Sequence, residues 1–170
     1  MNDGPKYYGK YRATVLNNLD PENRGRVMVQ LADRFGLFPS TWALPSFQMA
    51  AIQAGLVTIP PIHATVWIEF EAGDPDYPIW SGGFYESPAE MPLMVMAGAT
   101  PATPNIVMQT VGQVTLMLSD NPAMNVLIKT LTGAMISVGE AGILISNGKG
   151  ATISMIGPSV IVNGGALTVT

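Results

Sequence analysis

The chain has 170 residues, with 8 basic and 12 acidic side chains, a net charge of -4 and no cysteine. Neutralising a nucleic-acid backbone requires clustered lysine and arginine, so this acidic balance argues against nucleic-acid binding. The missing cysteines exclude disulfides and thiolate chemistry. The first residues, MNDGPKYYGKY, lack the apolar core of a signal peptide, and prolines interrupt the charge-free stretch 35–68. We therefore expect synthesis in the cytoplasm and no membrane span.

Residues 1–87 are predicted to form a small closed β-barrel. Alternating apolar residues indicate strands at 8–15 and 25–31, and the segment NNLDPENRG between them is dense in turn formers. A hairpin is predicted over 66–84, with its turn at GDPD. Five short strands without an amphipathic helix favour a barrel, because closure removes exposed strand edges.

Residues 88–113 are predicted to be a linker or an extended strap, since they contain four prolines and several small residues. The pattern changes at 114–170, where pairs of apolar residues recur and glycines lie near the corners. From residue 136 the step is about eight residues, which is typical of a β-solenoid. The expected core residues of this needle are Ile136, Val138, Ile143, Ile145, Ile153, Met155, Val160, Val162, Leu167 and Val169.

The predicted needle cannot bury its apolar residues within one chain. Each repeat offers only two or three apolar side chains, so a single chain would leave one bare face and two open strand edges. Three copies wound about one axis would cover the face and supply strand neighbours from other chains. The sequence therefore predicts an all-β homotrimer, with a barrel followed by an intertwined β-helical needle.

Three segments carry a resemblance to a known family: GKYRATVLNNLDPENRGRVMVQL, STWALP and VWIEFEAGDPDYPIWSGGFYES. They resemble the central spike proteins of contractile injection machines, namely phage baseplate assembly protein V and the valine-glycine repeat spike of type VI secretion. The likeness is close over residues 7–87, whereas the tail agrees with the family's architecture. The matching barrel residues are Gly25, Arg26, Val27, Trp67, Glu69, Gly73, Asp74, Pro75, Tyr77, Pro78, Trp80 and Gly82.

The resemblance implies an OB-fold barrel in a trimer that attaches to a baseplate hub protein. It also implies a needle that makes transient contact with a target membrane, in a phage tail, an extracellular contractile particle or a secretion system. A tip protein of the PAAR type is implied at the needle end. The expected tip contacts are Leu167, Thr168, Val169 and Thr170. Some family members carry a lysozyme domain between barrel and needle, but the 27 residues between Glu86 and Val114 are too few for one.

The sequence predicts no catalytic, cofactor or metal site. His63 is the only histidine, whereas a metal site needs several ligands and a catalytic triad needs a nucleophile beside the base. Glu69 and Glu71 with Asp74 and Asp76 would suit glycoside cleavage, but the aspartates lie in a tight turn and the glutamates share a strand face. The alternative function is an OB-fold module that binds nucleic acid or carbohydrate and is trimerised by a β-helical stalk. Its stacking platform would comprise Trp42, Trp67, Tyr77, Trp80 and Phe84.

Overall fold

The computed structural model describes residues 4–31 and 39–169 and divides the chain into two units, 1–90 and 91–170. The architecture is all-β, as predicted, and the helices within the described residues are 3₁₀ turns of three or four residues. Over the same residues, no helix has the length and apolar character needed to cross a bilayer.

The first unit is a closed barrel. Its sheet has the order β2-β1-β6-β7-β3, in which β3 runs parallel to β7 and the other pairs are antiparallel. Val27 and Ala43 exchange two backbone hydrogen bonds of 3.1 and 2.8 Å, which join the β2 and β3 ends and close the ring. The strands of this unit are β1 Tyr11–Asn17, β2 Met28–Gln30, β3 Leu44–Pro45, β4 Ala50–Ala51, β5 Ala54–Gly55, β6 Thr65–Phe70 and β7 Pro78–Gly83.

The barrel interior is filled by alternate residues of its strands, because successive side chains of a strand point to opposite faces. The alternating apolar residues of the predicted strand 25–31 and of the first strand of the predicted hairpin 66–84 are buried. The core cluster comprises Ala13, Val15, Val27, Val29, Leu31, Ala43, Val66, Ile68, Phe70 and Trp80.

Two predicted strands are shorter in the structure. The first was expected from Tyr8, but Gly9 turns the backbone with a φ of 94° and β1 begins at Tyr11. The second was expected from Gly25, which has a φ of 76° and belongs to the preceding turn. Both glycines have a positive φ and therefore lie before the strands to which they were assigned.

The second unit is an eight-stranded antiparallel sheet in which every strand pairs with its neighbours in the chain. A 3₁₀ turn at Leu93–Met96 precedes the sheet. The strands are β8 Ile106–Gln109, β9 Thr115–Leu118, β10 Val126–Lys129, β11 Ala134–Gly139, β12 Gly142–Asn147, β13 Thr152–Ile156, β14 Ser159–Val162 and β15 Leu167–Val169.

This sheet differs from the sequence expectation in two respects. Strand β8 lies inside the segment predicted as a linker, and it pairs with β9 along its whole length. In addition, β9 to β14 have strand neighbours from their own chain on both edges, whereas neighbours from other chains were expected. The pairing of these inner strands is therefore complete within one chain.

Candidate interaction surfaces

One face of the second sheet carries two columns of apolar positions, which we call the row face. The register of the strand pairs defines both columns. The first column comprises Met108, Leu116, Ile128, Ile136, Ile145, Ile153, Val162 and Leu167. The second comprises Ile106, Leu118, Val126, Val138, Ile143, Met155, Val160 and Val169. All ten predicted needle-core residues belong to these columns.

The row face is uncovered in the single chain. Ile106 and Met108 on the first strand are 65% and 52% exposed, and Ile153, the sixth of eight positions in its column, is still 39% exposed. On the opposite face, by contrast, Met117 and Leu127 are only 0% and 3% exposed. Soluble monomers rarely leave a contiguous apolar surface of this kind in water. The row face therefore has the character of an interface that a partner covers.

The opposite face is mixed in character. Ser154 lies on this face, where it pairs between Leu144 and Ile161 and is half-buried. Asn163 accepts a hydrogen bond of 2.9 Å from the Thr152 backbone N–H and so fixes the corner next to β14. Two of the tip positions, Thr168 and Val169, are described only through their backbone pairing in β15. The fourth tip position, Thr170, lies outside the described residues.

In the barrel, Asp20 organises the turn before β2, a role that the sequence interpretation missed. Its carboxylate accepts backbone N–H bonds from Glu22, Arg24 and Arg26 at 2.8 to 3.2 Å. It also accepts two hydrogen bonds from the Arg26 guanidinium, one from Nη2 at 2.6 Å and one from Nε at 3.0 Å. The Asp20 side chain is 3% exposed and that of Arg26 is 13% exposed. Asp-Pro followed by Asn and Gly is the sequence signal that could have shown this turn.

The Arg26 hydrogen bond lowers the pKa of Asp20 well below its usual range, and this effect outweighs the burial that raises the pKa. A carboxyl group whose pKa is lowered by folding adds stability at every pH above its unfolded value of about 4. That stability is lost as the pH falls below this value through the folded pKa.

We therefore expect Asp20→Asn to melt at a lower temperature than the wild type at pH 7, with the gap closing as the pH is lowered from about 4 towards 2. All three tryptophans lie in the barrel, so tryptophan fluorescence measures barrel melting directly. Asp120→Asn removes the same charge from an exposed loop and should leave the melting temperature unchanged. A gap that stays constant down to pH 2 would contradict the assigned role.

Two further signature residues, Gly25 and Trp80, pack together in the barrel wall. The Trp80 indole Nε1–H donates to the Gly25 carbonyl at 3.1 Å, and its ring meets Phe47 edge-on at 5.7 Å. A Cβ added at Gly25 would lie 2.9 Å from the Phe47 ring. Glycine and tryptophan are thus required here for packing.

Two family models match the chain over its two units. Residues 11–85 match the type VI secretion system/phage-baseplate injector OB domain, and residues 105–168 match the phage baseplate V C-terminal trimerisation domain. The chain belongs to the baseplate V spike family. This membership gives it a structural role in a phage-tail-like or type VI baseplate, and the trimerisation domain supports a homotrimer. Among curated proteins, none matches the chain.

In this baseplate V protein, two of the acidic residues considered for glycoside cleavage, Glu69 and Asp74, are engaged by contacts within the barrel. Glu69 is paired with Lys10 and accepts the Ser81 hydroxyl at 2.9 Å. The Lys10 hydrogen bond is the main reason why the pKa of Glu69 is lowered. Asp74 holds its own turn by accepting the Asp76 N–H at 3.1 Å. Across residues 4–31 and 39–169, there is no cluster of three or more possible metal ligands.

Most of the aromatic residues considered for base stacking in the baseplate V barrel contact other side chains of the same chain. Trp67 and Phe84 stack at 4.7 Å, and Arg12 lies over both rings at 5.7 and 5.4 Å. Trp80 is buried, and the Trp42 ring is covered by Arg26 at 5.6 Å. The five residues considered for base stacking therefore do not form one open platform.

Proposed function

We propose that the protein is the non-enzymatic central spike of a contractile injection apparatus, which pierces the target envelope as a homotrimer. The observation that carries this proposal is the row face, with sixteen paired apolar positions along eight strands. Three such faces turned to one axis would make a continuous dry core. The proposed domains are the barrel at 1–87, the connecting strap and the needle.

The arrangement of hydrogen bonds suits a needle under axial load. Eight strands that pair in chain order give seven spacings of about 4.8 Å, so the stack is on the order of 34 Å long. The interstrand hydrogen bonds run along the stack and would oppose its stretching or shearing. The second unit contains only four charged residues, Asp120, Lys129, Glu140 and Lys149. Few charges reduce the desolvation cost of entering a bilayer.

The first test is the mass of the particle in solution. Three chains of 18.0 kDa should give an assembly of about 54 kDa that resists dissociation, because the row face has no cover without partners. Light scattering with size-exclusion chromatography measures this directly. A stable folded monomer would contradict the proposal.

We propose further that the barrels attach to the baseplate hub and that the β15 end of the needle carries a PAAR-type tip protein. Strand β15 pairs only with β14 among the described residues, and an unpaired apolar edge invites a cap. Deletion of 164–170 should abolish capture of a PAAR-type protein while light scattering still shows a trimer. Retained capture would place the cap elsewhere.

The proposal also predicts that the pure protein leaves peptidoglycan intact, since the 27 residues between Glu86 and Val114 are too few to hold a lysozyme domain with its acid and nucleophile. A turbidity assay on isolated cell walls tests this point, with lysozyme as the positive control. Clear lysis would overturn the non-enzymatic assignment.

A further inference from the structure

An apolar hairpin projects from the barrel and has no role in the barrel core. Strands β4 and β5 form it, with Ala50 opposite Gly55, and the Leu56 N–H donates to the Met49 carbonyl at 3.1 Å. Ile52 lies at its tip and is 96% exposed. Met49 and Leu56 at its base are also exposed. The whole stretch 35–68 contains no charged side chain, so we call residues 49–56 the neutral hairpin.

The same barrel carries a cavity of about 620 Å³. Apolar side chains from Pro60, Ile62, Phe84 and Tyr85 line it together with polar residues, which include His63, Glu86 and Glu90. The Thr65 hydroxyl donates to the Phe84 carbonyl at 2.6 Å and so fixes the wall on that side. A cavity of this volume is large enough for an aliphatic side chain with part of its hairpin, and the four apolar residues would form its contact with that side chain.

We propose that the neutral hairpin of one copy inserts Ile52 into this cavity on the next copy, which closes a ring of three barrels. The inference rests on the proposed trimer. In a three-fold assembly each copy must present two different surfaces, one to each neighbour. The barrel has both surfaces that such a ring needs, a projecting apolar tip and a cavity with an apolar wall formed by Pro60, Ile62, Phe84 and Tyr85.

Tethering makes a second copy of this chain the favoured occupant of the cavity. The barrel match ends at residue 85 and the trimerisation match begins at residue 105, so 19 residues connect them. Even a fully extended connection of that length spans at most about 65 Å. A tether of this kind gives a local concentration on the order of millimolar, which favours contact between neighbouring barrels. A membrane surface would instead favour lysine and arginine beside the hairpin, and 35–68 has neither.

The natural absence of cysteine permits a direct crosslinking test. Ile52→Cys with Tyr85→Cys should form disulfides between copies on oxidation, giving a covalent trimer on a non-reducing gel. Ile52→Cys with Tyr77→Cys is the matched control, because Tyr77 is an exposed tyrosine (62%, against 55% for Tyr85) outside the cavity lining. The control pair should give at least tenfold less crosslinked product.

Light scattering on the same samples separates the possible failures. A particle of three chains without crosslinks between positions 52 and 85, or with equal crosslinking in the control pair, would overturn the ring while leaving the trimeric spike intact. Loss of the trimer itself would count against the proposed function and the ring together.

As a second measurement, Ile52→Asp should lower the barrel melting temperature seen by tryptophan fluorescence. An unchanged melting temperature would show that Ile52 stays in water and would also overturn the ring.

Discussion

Ile153→Asp should dissociate the trimer, whereas Ser154→Asp should leave it assembled. Ile153 is the sixth of eight positions in the first column and is paired with Ile145 and Val162. In a trimer with the row faces inward, the substitution places three carboxylates at one level of a dry core. Each is unpaired and repels the other two, and desolvation costs several kcal/mol for each buried ion.

The single chain on its own would suggest the opposite ranking. Ile153 is 39% exposed there, and Ser154 is half-buried between Leu144 and Ile161. A cost that falls mainly on Ile153 can therefore come only from contact with other copies. The two variants should be compared by light scattering and by resistance of the trimer to detergent on a gel. Damage confined to Ser154→Asp would show that the opposite face is the buried one.

The alternation of apolar residues was the part of the fold that the sequence predicted best. Side chains on a strand alternate because of local backbone geometry, so the pattern is visible without knowing any strand's partner. Val27, Val29 and Leu31 are the alternating apolar residues of the predicted strand 25–31, and all three are buried. The same local rule placed Ile153 and Met155 together, and their register with β12 puts both on the row face.

The identity of strand partners could not be predicted in the same way. An eight-residue repeat looks the same whether the next strand belongs to the same chain or to another, so the repeat alone could not show that β9 to β14 have neighbours of their own chain on both edges. Strand β8 was missed because the four prolines and several small residues of 88–113 suggested a linker, although Ile106 and Met108 extend both columns. Asp20 was missed because its role depends on Arg26 folding back over it. Such partnerships are set by tertiary structure and leave only a weak local signal.

Gly142→Ala should destabilise the needle more than the same substitution at Gly150, another corner glycine. Gly142 begins β12 with a φ of 142°, a conformation that side chains with a Cβ rarely adopt. A Cβ there would also collide with the Met155 carbonyl oxygen. That oxygen belongs to β13, which pairs with β12, so the two strands must separate. We expect a loss above about 4 kcal/mol, in the range typical of severe backbone disruption.

Gly150→Ala is the matched control for the collision. Gly150 also has a positive φ, of 103°, but a Cβ there would meet no atom within 4 Å. Backbone strain alone should therefore cost about 1–2 kcal/mol at this corner. Needle stability is measured by the temperature at which the detergent-resistant trimer disappears, while tryptophan fluorescence should show an unchanged barrel in both variants. If the two variants lose stability equally, the β12–β13 ladder does not constrain Gly142, and the described register at that corner is wrong.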